Sequence, residues 1–467
     1  MNNNTMKKSR KKATKPNFKK LPELNLNAAG IDIGSEEIFV AVPNDRDENS
    51  VKSFKSFTED LHNLANWLKE CEIDTVAMES TGVYWIPLFD LLESRGIEVF
   101  LVNARHVKNV PGRKSDVSDS QWLQQLHTYG LLQASFHPAN NIKELRTYMR
   151  YIDSLKKNTT RHVLQMQKQL SLMNIQLHNV ISDITGKSGL SIIQAITEGE
   201  RNPDELVKYC DVRLKNPQNI IKKSLVGNYT EDNIFALKQS LDFYKFYEKK
   251  INECELEMQK VLESFPEKEY KNKKNFIPEN NPKKKKKKIK NSELHQELIR
   301  ISGVDLVQID GLNTMSAMGI MSETGLDMNK WKTEKYFTSW LGLAPDNKVT
   351  GGKVISSKTK KVKSRANRAF RMAAYSLSRS DSFLGAYYRK QKYKLGVEKA
   401  TVATARKIAV IYYSMLKNGD LFYDQGSEHY EKKYRENQIK NLRSKAKKLG
   451  LEITLQDDKN HQQSSFG

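Results

Sequence analysis

The sequence predicts an α/β N-terminal domain on a mixed sheet, then long helices with heptad spacing, then a mostly helical C-terminal region. Three observations carry this expectation. Short apolar runs at Ala28–Asp32, Ile38–Val42 and Val51–Ser56 lead into an alternation of helical stripes and strands, the pattern of a mixed sheet with helices on its faces. From Ile142 to Leu177, apolar positions recur at alternating spacings of three and four, as in a coiled-coil helix. Beyond Leu294 the ordered stretches, Met315–Met321 and Lys399–Leu416 among them, read as helices.

In the N-terminal region, Gly34-Ser35 joins the first two strands, which predicts a meander. Leu61, Leu64, Trp67 and Leu68 form a helical stripe ahead of a strand ending at Glu79. A helix over Val83–Arg95 then leads into a strand at Val99–Val102. Asp32 and Glu79 each close an apolar run, and acids at the ends of buried strands cost free energy unless a partner or metal meets them. Asp116 and Asp119 are three apart, so on a helix they share a face, about 5–6 Å between Cβ atoms. The strand ends of this fold gather Asp32, Glu79 and that helix at one edge. Four such carboxylates can hold two divalent ions about 3.5–4 Å apart, the arrangement used for in-line attack at phosphate. The plainer alternative makes Asp116 a helix cap and Asp119 a solvated first-turn acid. The string Gly30-Ile31-Asp32-Ile33-Gly34-Ser35 has a rival meaning too, since it opens the phosphate loop of actin-like sugar kinases. That reading requires a second glycine-rich loop, for which Asp310-Gly311 is the later candidate.

Composition narrows the partners. The chain has 467 residues and a formal net charge of +23, which favours a polyanion, nucleic acid before membrane. Cys71, Cys210 and Cys254 show no paired spacing, which argues against a disulfide framework or zinc site and suits a reducing cytoplasm. No apolar run reaches the length of a membrane span or a signal peptide, so a soluble, cytoplasmic protein with no membrane partner is expected.

Taken together, Gly30-Ile31-Asp32-Ile33-Gly34, Met78-Glu79-Ser80-Thr81-Gly82-Val83-Tyr84, Val102-Asn103-Ala104 and Lys114-Ser115-Asp116-Val117-Ser118-Asp119 stand in one recognisable order and spacing. In these motifs the chain resembles the bacterial insertion-sequence 110 family of transposases, the RNA-guided bridge recombinases. The resemblance covers roughly residues 27–180 and 295–450. It implies a RuvC-like (RNase H-type) domain with a DEDD set of acids, and a C-terminal domain bearing a nucleophilic serine. It also implies a non-coding RNA that pairs with donor and target DNA.

The remaining segments fall in chain order. Residues 1–26 read as a disordered basic arm, with eight Lys or Arg and no acid in the first twenty. Residues 27–135 are the α/β domain. Residues 136–265 are a helical arm: the heptad positions Ile142, Leu145, Met149, Ile152, Lys156, Thr159, Val163, Met166, Leu170, Met173 and Leu177 are answered by a second stripe at Leu237, Leu241, Tyr244, Ile251, Met258, Leu262 and Phe265. Such a pair either folds on itself or joins another subunit, so a dimer or tetramer is expected. Residues 266–292 read as a flexible loop, with ten lysines and one acid between Lys271 and Lys290. It either tracks phosphates or only solubilises the chain.

Residues 293–456 form the C-terminal domain, and 457–467 a disordered tail. Val307–Leu312 followed by Met315–Met321 looks like a helix-hairpin-helix turn, whose glycine would open backbone N–H groups to phosphate. Phe337, Trp340 and Leu341 read as core. After Gly342-Leu343-Ala344-Pro345 comes Lys348-Val349-Thr350-Gly351-Gly352-Lys353, and residues 351–370 hold seven Lys or Arg and no acid. Glycines there permit close approach to a ligand, and cations can offset charge at a phosphate. The resemblance puts the nucleophile at the position before the glycine turn, where this chain has Thr350. A threonine hydroxyl can attack, although its methyl restricts χ1; Ser356 and Ser357 are substitutes, and an inactive site is the remaining possibility. Lys114, Lys353, Lys358, Lys360, Lys361, Arg365 and Arg368 are candidate nucleic-acid contacts. A basic helix over Glu428–Leu449 is expected to dock through Tyr430, Tyr434, Ile439, Leu442 and Leu449.

The expected activity is that of a DNA transposase or recombinase moving its own insertion sequence, with Asp32, Glu79, Asp116 and Asp119 binding two Mg²⁺. Two alternatives stand beside it: a metal-dependent resolvase or nuclease using water alone, and a non-enzymatic nucleic-acid-binding protein.

Overall fold

A computed structural model describes residues 22–80, 82–102, 116–132, 134–135, 140–214, 216–269, 292–362 and 364–451. Residues 1–21 of the basic arm, the Val102-Asn103-Ala104 motif beyond Val102, Lys114, residues 270–291 of the lysine-rich loop and the tail lie outside these residues. Residues 22–26, expected to be part of a disordered arm, are described and bond to the Thr128 carbonyl through the N–H groups of Leu24 and Asn25. The chain divides into two compact units, Met1–His137 and Pro138–Gly467.

The N-terminal unit is built on a five-stranded sheet of order β3-β2-β1-β4-β5. Its strands are β1 (Ala28–Ile33), β2 (Glu37–Ala41), β3 (Val51–Lys55), β4 (Thr75–Glu79) and β5 (Glu98–Val102). The meander β1–β2–β3 is antiparallel, whereas β1–β4 and β4–β5 are parallel, so the sheet is mixed. Gly34 closes the first turn: its N–H donates to the Glu37 carbonyl at 2.9 Å, and a Cβ there would lie 2.7 Å from that oxygen.

Strand alternation sends the two faces of β1 to different layers. Ala29, Ile31 and Ile33 join one core with Leu64 and Leu68 of α1 (Thr58–Glu70) and Leu88, Phe89 and Leu92 of α2 (Trp85–Ser94). The opposite face carries α3 (Asp116–Thr128), which packs on β1, β2 and β4.

The C-terminal unit is mostly helical. Two helices of 33 residues, α4 (Asn140–Leu172) and α9 (Glu231–Glu263), pack against each other. They run antiparallel: His162 stacks on Phe243 and Tyr247, while Met166 and Leu170 share a core with Leu237 and Leu241. The seam departs from the expected spacing at one place. Leu155 is buried where Lys156 was expected, and Lys156 is exposed. A three-residue step there brings an apolar side chain to the partner, and Lys156 stays hydrated. Met173 and Leu177 fall beyond the end of α4. They belong to a cap of small helices, α5 (Leu177–Val180), α6 (Lys187–Thr197), α7 (Pro203–Leu206) and α8 (Gln218–Ser224), over the turn between the long pair.

After α10 (Ser292–Ser302), α11 (Thr314–Thr324) starts with a capping box: Ser316 N–H donates to Asn313 Oδ1, and Asn313 N–H donates to Ser316 Oγ, both at 2.8 Å. Arg150 of α4 donates to both Glu323 carboxylate oxygens at 2.9 Å, which ties α11 to the long helix. Gly311, with φ of +91°, is the glycine of the expected hairpin turn. A Cβ there would lie 2.6 Å from the Ala373 carbonyl, so this glycine allows close helix packing inside the unit. Its neighbours Ile309, Asp310 and Leu312 are buried, and this is no exposed phosphate loop of the kind the kinase reading requires.

Helices α12 (Glu334–Trp340), α13 (Arg365–Ser376), α14 (Phe383–Leu395) and α15 (Val397–Asn418) complete the unit around Phe337, Phe370 and Tyr412. The last helix, α16 (Gly426–Lys448), docks on α14 through Tyr430. Leu442 and Leu449 stay exposed, against the expectation that they would dock. Leu442 lies about three turns beyond Tyr430, and Leu449 follows the last residue of this 23-residue helix.

Candidate active site

The arrangement of the acids follows from what the sheet does locally. Ile31 pairs with Met78 in the parallel β1–β4 ladder, so the next positions, Asp32 and Glu79, are neighbours at the carboxyl ends of adjacent strands. Asp32 shares its face with Gly30, two residues before it, and Glu79 shares its face with Thr75, four before it. That is the face α3 covers.

Gly30 sets how closely α3 can approach. A Cβ at this position would lie 2.2 Å from both Ser120 O and Gln124 N, so the helix backbone rests directly on the strand. At the far end, Thr75 Oγ1 and His127 Nε2 share a hydrogen bond of 2.9 Å, and His127 packs on Phe100. Asn25 caps the same end, donating from Nδ2 to the His127 carbonyl at 2.7 Å, while Leu24 N–H donates to the Thr128 carbonyl at 2.8 Å.

With that end fixed, the register of the other end follows. From His127 back to Asp119 the helix rises about 12 Å, and from Thr75 to Glu79 the strand advances about 13 Å. The two lengths match, so the α3 turn carrying Asp119 lies over the strand end carrying Glu79. Both acids are buried, at 8% and 5% exposure, and Asp32 is half-buried. Asp116 is the first residue of α3, one turn from Asp119; its side chain lies outside what is described.

The donor set is entirely carboxylate oxygen, the chemistry that suits a hard cation such as Mg²⁺ rather than zinc or copper. Two acids buried at one strand end also favour a positive charge among them. Among the described residues, no group of three or more His, Cys, Asp or Glu side chains is gathered for a metal.

The second set of candidates lies in the C-terminal unit. β6 (Lys348–Thr350) and β7 (Lys353–Ser356) form a hairpin. Its two-residue loop, Gly351-Gly352, has φ of +55° and +74°, as a type I′ turn requires. Thr350 pairs with Lys353 at the tip, and Ser356 pairs with Lys348 at the base. Thr350, Lys353 and Ser357 are exposed, and Ser356 is half-buried. Lys358, Lys360, Lys361, Arg365 and Arg368 are exposed along the same stretch. The hairpin also shows Val349, Val354 and Ile355 to solvent, an apolar surface that two strands alone do not cover.

A family model for DEDD transposases of the IS110 type matches residues 29–175, and the model of the transposase IS116/IS110/IS902 family matches residues 305–389. The chain belongs to the IS110 family of transposases. The transposase is thus an enzyme that cleaves and rejoins DNA. The first match spans all four acids, and the second spans Thr350, Ser356 and Ser357. No curated protein matches the transposase significantly. None of its described helices is long and apolar enough to cross a membrane.

Sequence reasoning passed over three residues that fix this geometry: Gly30, Thr75 and His127. The first was read only as part of a motif. The other two carry one available signal, a lone histidine on the inner face of a helix whose strand partner offers a hydroxyl.

Proposed function

We propose that this transposase excises and integrates its own insertion sequence through a covalent protein–DNA intermediate. What supports the reading is the convergence of Asp32, Glu79 and the first turns of α3 at one end of the mixed sheet. Under it, the N-terminal unit is the RuvC-like DEDD domain, and Asp32, Glu79, Asp116 and Asp119 would hold two Mg²⁺. When bound, those ions supply charge neutralisation at the scissile phosphate and polarise its P–O bond.

The remaining work falls to the chain's own groups. Thr350 Oγ attacks phosphorus, so a Thr–O–P ester forms and the P–O bond to the departing 3′-oxygen breaks. The hydroxyl proton leaves Thr350, and the departing oxygen takes up a proton to become a free 3′-hydroxyl. That hydroxyl, or one from a second strand, attacks the ester and restores Thr350. The exposure of Thr350 at a glycine tip supports its access to a duplex, and Lys353, Lys358, Lys360, Lys361, Arg365 and Arg368 supply cations for the flanking phosphates. Lys114, two residues before Asp116 in the sequence, is assigned a phosphate contact. Sequence choice is delegated to a guide RNA paired with DNA, and the working assembly is a dimer or tetramer.

The test is mass spectrometry of protein trapped on element-end DNA. A nucleotide adduct on Thr350 is the expected result. An adduct on Ser356 or Ser357 moves the nucleophile, and cleavage without any adduct replaces the covalent step with attack by water.

A further inference from the structure

A groove of about 980 Å³ opens in the C-terminal unit between α4, α13 and α15. Five cations line it: Lys156 and Lys157 from α4, and Arg365, Arg368 and Arg371 from α13. Only two acids, Asp153 and Glu398, lie among them. The helices that supply the cations are about two hundred residues apart in sequence, so the tertiary fold concentrates this charge.

The groove is not uniformly polar. Tyr375 is 56% exposed and Met372 60% exposed, and both line it with Val362 and Val397. On α13, Arg365, Arg368, Met372 and Tyr375 follow a three-four-three spacing, so one helical stripe begins in guanidinium groups and ends in an aromatic ring. A site for duplex backbone alone has no use for an exposed ring and thioether beside its cations. Unpaired bases do, because every base has a π-face that stacks on an aromatic while its phosphates meet Lys and Arg.

We infer that this groove holds an unpaired strand of nucleic acid, with Tyr375 stacking on a base and Lys157, Arg368 and Arg371 on its phosphates. The inference rests on the chain being a nucleic-acid enzyme and adds a subsite to that reading. Arg365 donates from Nη1 to Asp153 Oδ2 at 2.9 Å, across from α13 to α4. This ion pair spans one edge of the groove, and a phosphate there competes with Asp153 for Arg365.

The experiment uses the full chain and a fluorescein-labelled mixed-sequence oligonucleotide of about 16 nucleotides. It is offered as single-stranded DNA, as single-stranded RNA, and as a duplex of the same sequence, with binding read by anisotropy over a range of salt. Tyr375→Ala should weaken single-strand binding by about 5- to 150-fold and leave the duplex nearly unchanged, while Tyr375→Phe keeps wild-type affinity. Asp153→Asn should tighten single-strand binding, and Arg368→Ala should lower the single-strand salt slope by about 0.7. The DNA and RNA arms identify which strand the groove prefers. Equal losses on single strand and duplex, or no loss in Tyr375→Ala, overturn the inference. The same variants are scored for strand cleavage. A chain that cleaves but shows no Tyr375 effect loses only the groove, and one that binds through Tyr375 without any adduct loses only the covalent step.

Discussion

Thr75 Oγ1 and His127 Nε2 lie 2.9 Å apart in the interior of the N-terminal unit, and this contact anchors the helix that begins at Asp116. Burial disfavours the imidazolium, so the His127 pKa falls to about 4, with Asp74 opposing the shift. A histidine lowered in the folded state is neutral there while the unfolded chain takes up a proton. Its contribution is therefore complete above the unfolded value of 6.5 and is lost as pH falls from 6.5 towards 4. Thermal unfolding should show a loss of at most about 3 kcal/mol across that window. His127→Gln, which does not titrate, should flatten the profile; an unchanged slope would assign the acid sensitivity to other groups.

Gly30 is the second test of how α3 is seated. In Gly30→Ala the new methyl overlaps backbone atoms of Ser120 and Gln124, and backbone cannot rotate away as a side chain can. Destabilisation of about 1–3 kcal/mol should appear in denaturant melts, with a larger fractional loss of strand cleavage because the Asp119 turn is lifted from Glu79. Full activity in this variant would mean that the spacing of helix and strand does not set the chemistry.

At Thr350, Thr350→Ser keeps the hydroxyl and removes the methyl, so strand joining should be retained or raised. Thr350→Val keeps the shape without the hydroxyl and should reduce joining on the order of 100-fold or more, with DNA binding intact by anisotropy. Asp116→Asn should suppress adduct formation as well. Joining that survives Thr350→Val would move the nucleophile elsewhere.

The apolar seam of the long pair is satisfied within the chain. Ile152 and Leu155 are buried in the C-terminal unit, so Leu155→Ala should cost about 2–5 kcal/mol, and a charge at Ile152 should unfold the arm. Light scattering alongside circular dichroism separates the outcomes: a folded chain of smaller mass would show that this seam joins subunits instead.

The sequence by itself determined the succession of strands and helices in the N-terminal region, the acids that close two of its strands at Asp32 and Glu79, and the two helical stripes. These signals are local: period-two and period-3.6 burial, and acids that end apolar runs, survive in any single stretch of chain. Even the Gly351-Gly352 turn was legible, because φ > 0 at successive residues calls for glycine. Tertiary structure alone decided the rest. Whether Lys156 or Leu155 entered the seam depended on where α9 lay. Gly311, read as an open turn, became a packing contact because the Ala373 carbonyl needed the space. The seating of α3 rests on Gly30 meeting Ser120 and Gln124, some ninety residues away, and on a histidine and a threonine 52 positions apart. Close approach and desolvation belong to pairs of surfaces, so no single stretch of residues carries them.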